Sequence, residues 1–117
     1  MMRFGTMPKQ GEIVLIPIPF TDLSSNKKRP VLIISKNEYN KIMNDVVVVA
    51  ITSNLEDKEF GVLIKKEDLA EGELKVDSLI RADKIYTLSQ DIIIKRFGAV
   101  NNSIIEKVKN HIGKLID

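Results

Sequence analysis

The sequence predicts a mainly β protein with a helix at its carboxyl end, folded as an antiparallel and partly open barrel. Short apolar runs rich in β-branched residues recur along the chain, separated by polar or glycine-containing stretches. One clear helical pattern follows them. Many short strands before a single terminal helix favour such a barrel. With 117 residues, the chain has room for one domain and one core.

The strands are expected at the apolar runs, over residues 13–18, 31–35, 46–52, 60–64, 78–81 and 92–100. Pro17 and Pro19 indicate that the first strand leaves the sheet, because proline cannot donate to a ladder. The continuous apolar run 46–52 predicts burial on both faces. Residues 37–44 form a connector of about one helical turn. Residues 66–71, with Gly72 behind them, are typical of a short helix with a glycine stop.

The last helix is predicted from its start signal and its apolar stripe. Ser103 and Glu106 have the spacing of a capping box. The stripe recurs at helical spacing and consists of Ile104, Ile105, Val108, Ile112, Leu115 and Ile116. His111, the single histidine, lies on this pattern, which favours a packing or surface role over catalysis.

Composition excludes several classes of protein. The chain has no cysteine, so it has neither a disulfide framework nor thiolate chemistry. No apolar run approaches the roughly 20 residues that span a bilayer, and residues 1–10, read as a short arm, lack the apolar centre of a secretory signal. We therefore expect a cytoplasmic protein without a membrane partner.

The net charge of +2 is unevenly distributed along the chain. Residues 1–36 contain six Lys and Arg against two acids, residues 37–77 contain five against ten, and residues 78–117 contain seven against four. The two basic ends can meet in the fold and form a positive face for a phosphate backbone. The alternative is a solvated surface on which the sign of charge alternates.

Most catalytic arrangements lack the residues they need. One histidine cannot supply a histidine pair, and without cysteine a zinc site has too few ligands. No glycine-rich phosphate loop is present. The acidic runs 56–59 and 67–68 could hold magnesium but are more typical of turns and helix starts. We expect no metal and no cofactor.

Two polar positions remain beside apolar runs. Arg29 opens the run 31–35, and Thr52 and Ser53 close the run 46–52. If these strands are neighbours, one guanidinium and two hydroxyls project from the same sheet. An arginine fork matches phosphate oxygens, and hydroxyls can donate to the same group. RNA suits such a site because it brings its own nucleophile, the 2′-hydroxyl.

Four blocks of the sequence, in this order, resemble the PemK/MazF family of toxin endoribonucleases: Gly11 to Val14, Arg29 to Ile33, Ala50 to Ser53, and Asp77 to Leu88. The resemblance implies an SH3-like, partly open barrel of the PemK/MazF/CcdB type, paired as a homodimer. It also implies a metal-independent, sequence-specific endoribonuclease that cuts single-stranded RNA and is neutralised by a cognate antitoxin. In that family the positions of Arg29 and Thr52 are the catalytic pair, and Ser53 is expected to assist.

The polar loop before Arg29 is the predicted RNA clamp. Its RNA-binding candidates are Phe20, Asp22, Ser24, Ser25, Asn26, Lys27 and Lys28. The lysines suit flanking phosphates, whereas Phe20 could stack on a base or belong to the core. Some family members have a carboxylate just before the arginine, proposed as a general base, and Asp22 is the nearest one here. Some have an arginine where this chain has Tyr86, which could stack on a base or pack as a strand aromatic.

Two other functions stay open at this stage. One is a non-catalytic toxin of the same architecture that binds and poisons a protein, as the related gyrase-poison family does. The other is an RNA-binding barrel without activity. A pure binder has no need of Arg29 together with Thr52, so this pair favours the enzyme.

Overall fold

The computed structural model describes residues 7–17, 28–56 and 59–117. This part of the chain contains seven strands, two helices and two short 3₁₀ turns. The 3₁₀ turns are at Lys66–Asp68 and Gln90–Ile92. The helices are α1 (Asn37–Ile42) and α2 (Asn102–Ile116). The strands are β1 (Glu12–Pro17), β2 (Lys28–Ile33), β3 (Asp45–Thr52), β4 (Gly61–Ile64), β5 (Leu69–Gly72), β6 (Ser78–Ser89) and β7 (Lys95–Val100).

All seven strands form one antiparallel sheet in the order β4-β6-β3-β2-β1-β7-β5. β5 and β6 lie five positions apart in this order but are joined only by residues 73–77. Five strand spacings in a flat sheet amount to about 24 Å. The chain from Gly72 to Ser78 can span roughly 22 Å at most. The sheet therefore curls, and the predicted partly open barrel is confirmed.

The curled sheet buries apolar side chains on both faces. One cluster lies under α2 and takes Val49 and Ile51 from β3, Leu32 from β2, and Ile104 and Val108 from α2. The second cluster, on the other face, consists of Val14, Ile16, Val31, Ile33, Val46, Val48 and Ile93. β3 contributes to both clusters, so the predicted burial of both its faces is confirmed.

The prediction of a helix over residues 66–71 is wrong. Only Lys66–Asp68 form a 3₁₀ turn, and Leu69–Gly72 continue as the edge strand β5, paired with β7. Gly72 has a positive φ of +86°, but its role differs from a helix stop. A Cβ there would lie 2.6 Å from the Phe97 carbonyl, and one on Gly98 would lie 2.5 Å from the Glu71 carbonyl. Close approach of β5 to β7 therefore requires glycine at both positions.

The boundaries of three strands also differ from the prediction. The strand expected over residues 31–35 is β2, which begins at Lys28 and ends at Ile33. The strand expected over residues 78–81 continues to Ser89, because β6 pairs with β3 past a bulge between Val49 and Ala50. The strand expected over 92–100 begins only at Lys95, since Gln90–Ile92 form a 3₁₀ turn capped by the Ser89 side chain.

The start of α2 also differs from the predicted capping box. The helix begins two residues earlier, with Asn101 rather than Ser103 as its N-cap, and the Asn101 Oδ1 atom accepts from the Ile104 N–H at 3.2 Å. Ser103 lies inside the first turn and donates to the same Asn101 oxygen. Asparagine is as good an N-cap as serine, so Asn101 can take this position in place of Ser103. The predicted apolar stripe faces the core through Ile104 and Val108, whereas Ile116 is 78% exposed.

A buried polar network fixes the short helix α1 to the sheet. Gln90 Nε2 donates to three main-chain carbonyls at the end of this helix and beyond it, those of Asn40, Met43 and Asp45, at 2.9 to 3.1 Å. The Asn40 side chain in turn bonds the Pro8 and Ser35 carbonyls. These side chains satisfy carbonyls that a helix end would otherwise leave unpaired. Among the described residues, no helix is long and apolar enough to cross a membrane.

Candidate active site

The candidate site lies where β2 begins and β3 ends. These strands pair antiparallel, with Val31 opposite Ala50. Arg29 lies two residues before Val31 and Thr52 lies two residues after Ala50, so both stand just beyond this ladder, at the same end of the strand pair. Antiparallel pairing therefore brings the first residues of one predicted block and the last residues of another to the same edge of the sheet.

A cavity of about 550 Å³ opens at this edge. Arg29, Thr52, Ser53 and Lys28 all line it, so four of the predicted site residues share one space. The apolar part of its wall is formed by Ile13, Pro30, Ile51, Leu74, Val76 and Phe97. This apolar wall is continuous with the core, because Ile13 and Ile51 also belong to the cluster under α2. Lys28, Arg29, Thr52 and Ser53 lie at the strand ends.

The lining is positively charged. Lys28 and Arg29 contribute two cations and Lys75 a third, and no Asp or Glu is among the described residues that line the cavity. Arg29 is exposed and has no ion-pair partner within the described part of the chain. A guanidinium that is not committed to a protein carboxylate remains available to an anionic ligand.

The turn after β3 fixes the orientation of Thr52. Its Oγ1 atom accepts from the Asn54 N–H at 3.1 Å, and Asn54 Oδ1 accepts from the Glu56 N–H at 3.1 Å. Hydroxyl and amide side chains commonly hold turns in this way. Because the Thr52 oxygen acts here as an acceptor, its hydrogen is left to donate to a ligand in the cavity.

The other predicted site residues lie elsewhere. Tyr86 is in the middle of β6, opposite Val48, and packs against the second core cluster rather than lining the cavity. This packing is the strand-aromatic role that the sequence left open. The predicted clamp residues Phe20, Asp22, Ser24, Ser25, Asn26 and Lys27 lie outside the described residues.

Sequence reasoning missed two polar residues of the cavity, Lys75 and Ser78. Lys75 belongs to the stretch that connects β5 to β6, and Ser78 is the first residue of β6. The Ser78 hydroxyl donates to the Val76 carbonyl at 3.1 Å. Lys75 lies in the most acidic segment of the sequence, residues 37–77. The negative net charge of that segment gave no indication that it supplies a cation to the site. A correct assignment of β5 as an edge strand would have found it, since residues 73–77 must then cross the open end of the barrel.

An ion-pair cluster holds β5 near the site. Arg96 of β7 donates through Nε to Glu12 of β1 and through Nη2 to Glu71 of β5, the latter at 2.9 Å. The hydrogen bond to Glu12 raises the pKa of the Arg96 guanidinium. On β6, the Arg81 guanidinium donates twice to Asp83 and thereby lowers the pKa of that carboxyl. Both clusters are internal to the sheet and do not line the cavity.

Within the described ranges, neither a histidine nor a group of metal ligands lines the cavity. His111 lies on α2, where its Nδ1 is 2.8 Å from the Lys107 carbonyl one turn earlier. In the part of the chain that the structure describes, no three His, Cys, Asp or Glu side chains are grouped to hold a metal ion. The chemistry of the cavity is therefore that of cations and hydroxyls.

Comparisons with solved structures give the same architecture in several toxins. A mycobacterial endoribonuclease in complex with its cognate antitoxin is 24% identical, with a TM-score of 0.75 over 93% of this chain and 94% of that one. The MazE–MazF complex from Deinococcus radiodurans is 20% identical, with a TM-score of 0.76 over 95% and 97%. The Mycobacterium tuberculosis toxin MazF-mt6 is 21% identical, with a TM-score of 0.73 over 91% and 96%.

At these identities the similarity establishes the fold. A comparison with curated protein sequences finds no match. The family assignment rests instead on a sequence model that matches residues 9–116 and so includes both ends of the cavity-forming strands. This chain belongs to the family of PemK-like, MazF-like toxins of type II toxin–antitoxin systems.

Proposed function

We propose that this protein is a sequence-specific, metal-independent endoribonuclease that cleaves single-stranded RNA. One observation carries the proposal: Arg29 and Thr52, the pair that matches the family's catalytic positions, meet in one cationic cavity at the ends of neighbouring strands. The structural relatives named as endoribonucleases or MazF support it. Family membership supports this class of toxin, and the cations and hydroxyls of the cavity support cleavage of a phosphodiester.

RNA chemistry needs little from such a site. The 2′-oxygen of the ribose attacks the adjacent phosphorus, and the bond from phosphorus to the 5′-oxygen breaks. The products are a 2′,3′-cyclic phosphate, which water can open to a 3′-phosphate, and a 5′-hydroxyl that has taken up a proton. The protein has to hold the attacking and leaving oxygens in line and stabilise the additional negative charge on the phosphorane.

Arg29 is suited to charge stabilisation. Its guanidinium presents five N–H donors in a planar fork and no acceptor, so it can donate to phosphate oxygens but is a poor proton acceptor. Because it has no carboxylate partner among the described residues, its charge is not already neutralised. Each well-placed donor to a developing oxyanion contributes on the order of a hundred- to a thousandfold in rate.

Thr52 is suited to positioning. The bond from the Asn54 N–H holds its hydroxyl oxygen, so the remaining hydrogen can be directed at a phosphate oxygen or at the 2′-oxygen. Ser53 is exposed and lines the same cavity, where it can make a second contact. Neither hydroxyl needs to act as a nucleophile, because the substrate supplies one.

The cavity contributes charge and orientation rather than a conventional base. None of the described residues that line it is a carboxylate or a histidine. Asp22 is the nearest carboxylate before Arg29 in the sequence, and it lies outside the described residues. The proton of the 2′-hydroxyl therefore leaves to Asp22 or to water in this proposal.

The toxin family and the antitoxin-bound relatives support a cognate antitoxin as the physiological partner. An acidic segment that covers Arg29 and Lys28 would block RNA by charge competition. We also propose a homodimer, in which two cavities face a common groove. Exposed apolar side chains on the last turn of α2, including Ile116 at 78% and Leu115 at 39%, are available for such pairing.

The test is cleavage of a long RNA by the purified protein in the presence of EDTA. We expect discrete products from the wild type and at least a hundredfold lower rate from Arg29→Ala. Lys107→Ala, which removes one exposed charge from α2, is the matched control and should cleave at the wild-type rate. Equal cleavage by Arg29→Ala would reject the assignment of Arg29 to catalysis. No cleavage by the wild type would reject the endoribonuclease and leave a protein-binding toxin or an inactive RNA-binding barrel.

A further inference from the structure

A second wall of the cavity comes from the stretch between β5 and β6, and it carries a cation that no family block contains. Leu74, Lys75 and Val76 line the same cavity as Arg29 and Thr52. Arg29 and Thr52 belong to the central strands, whereas Lys75 lies in the connection from the edge strand β5 to β6. Ligands in this cavity would therefore be held between two separate parts of the barrel.

We propose that Lys75 binds a phosphate of the RNA adjacent to the one that is cleaved. This inference rests on the proposed function, since it assigns an additional contact to the same substrate. A lysine acts on a phosphate as a compact point charge, without the bidentate geometry of arginine. Lys75 therefore contributes to binding of the strand, while Arg29 acts on the reacting group.

The stretch that carries Lys75 is held at both ends. At its start, β5 is fixed to β7 by the close approach of Gly72 to Gly98 and by the ion pair of Glu71 with Arg96. At its end, the buried Ser78 donates its hydroxyl to the Val76 carbonyl at 3.1 Å. A short segment anchored in this way presents its side chain from a defined place, which lowers the entropy lost on binding.

The charges around Lys75 also favour a role toward the cavity. Its neighbours Glu73 and Asp77 are exposed but do not line the cavity, whereas Lys75 does. Lys75 has no ion-pair partner among the described residues. Here it adds a third positive charge to a lining that already contains Lys28 and Arg29.

Val76 gives this wall a second use. Its side chain is 58% exposed and stands at the rim of the cavity next to Lys75. An exposed apolar group beside a phosphate-binding cation can contact the face of an unstacked base. Together the two residues match one nucleotide of a single strand, with its phosphate on Lys75 and its base against Val76.

The experiment compares Lys75→Ala, Lys75→Arg and the control Lys107→Ala with the wild type. Binding is measured on an RNA in which 2′-deoxyribose at the cut site prevents cleavage, over a range of salt concentrations. We expect Lys75→Ala to bind roughly fivefold more weakly at 0.1 M salt. The slope of log K against log salt should fall by about 0.7, the value for one contact on a single strand. Lys75→Arg should restore both.

Cleavage rates at saturating RNA separate this inference from the proposed function. We expect Lys75→Ala to raise KM about fivefold with kcat within about twofold of the wild type, because its contact is the same in the ground and transition states. Wild-type cleavage with an unchanged salt slope for Lys75→Ala would overturn the role of Lys75 and leave the endoribonuclease standing. RNA binding that depends on Lys75, without cleavage by the wild type, would support the contact and overturn the endoribonuclease.

Discussion

One guanidinium, that of Arg96, bonds two carboxylates of very different exposure, and this difference predicts how much each bond stabilises the fold. The Glu12 side chain is 9% exposed and the Glu71 side chain is 62% exposed. The Lys9 N–H also donates to Glu12, at 2.8 Å. Replacing Arg96 with methionine keeps most of the apolar stem but leaves Glu12 without its counter-charge.

Arg96→Met should lower the free energy of unfolding by about 3 kcal/mol. A buried charge that loses its partner costs about 3 to 5 kcal/mol, and the 31% exposure of Arg96 places this case at the lower end. Glu71→Gln, which removes only the exposed bond, should cost under about 1 kcal/mol. For a domain of this size the first change lowers Tm by roughly 10–15 °C and the second by at most a few degrees.

Urea unfolding followed by circular dichroism measures both values, and equal m-values would show that the two transitions are comparable. The double variant Glu12→Gln/Arg96→Met should regain more than half of the loss, because no buried charge is then left unpaired and only the exposed Glu71 lacks its partner. If Glu71→Gln were as destabilising as Arg96→Met, burial of Glu12 would not be the source of the stabilisation, and this reasoning would be refuted.

Three further predictions concern the polar core, the pH dependence and the assembly. Gln90→Ala should cost about 3 kcal/mol in urea unfolding, because one buried and two partly buried carbonyls lose their donor, whereas the exposed neighbour Asp91→Ala should cost under about 0.5 kcal/mol. Since the Arg81 hydrogen bond lowers the pKa of Asp83 below 3.8, the stability from this pair is present above pH 3.8 and lost as pH falls through the lowered pKa. The difference in stability between wild type and Asp83→Asn, about 1 kcal/mol at pH 7, should therefore shrink toward zero in acid, and a constant difference would contradict the assignment. Sedimentation at micromolar concentration should give a species of about 26 kDa, twice the 13.2 kDa chain, and a monomer at all concentrations would exclude the dimer.

The sequence predicted the central strands well because their apolar runs are long and β-branched. β3, with four such residues in a row from Val46 to Val49 and a fifth at Ile51, is buried on both faces as expected. The edge strand β5 was mistaken for a helix because its sequence, Leu69 to Gly72, has no alternation and only one apolar side chain that reaches the core cluster. Its conformation is set by pairing with β7, which local sequence does not encode.

The candidate site was predictable where it depends on strand ends and unpredictable where it depends on closure of the barrel. Arg29 and Thr52 each terminate an apolar run, so their meeting required only that β2 and β3 be neighbours. Lys75 meets them because residues 73–77 cross from β5 to β6, and that crossing follows from the strand order of the whole sheet. The catalytic roles of Arg29, Thr52 and Ser53 and the RNA contacts of residues 20–28 and Tyr86 stay predictions.

In the proposed reaction the nucleophile is the substrate's own 2′-hydroxyl, so RNA that lacks this hydroxyl provides the sharpest experiment. A short RNA containing the cut site is compared with the same RNA carrying a single 2′-deoxyribose at the attacking position, in EDTA. We expect the first RNA to be cleaved to a cyclic phosphate and a 5′-hydroxyl. The second RNA should bind with an affinity within about twofold of the first but should not be cleaved. Cleavage of the deoxy-substituted RNA at a comparable rate would contradict the account, since the nucleophile would then come from water or from the protein.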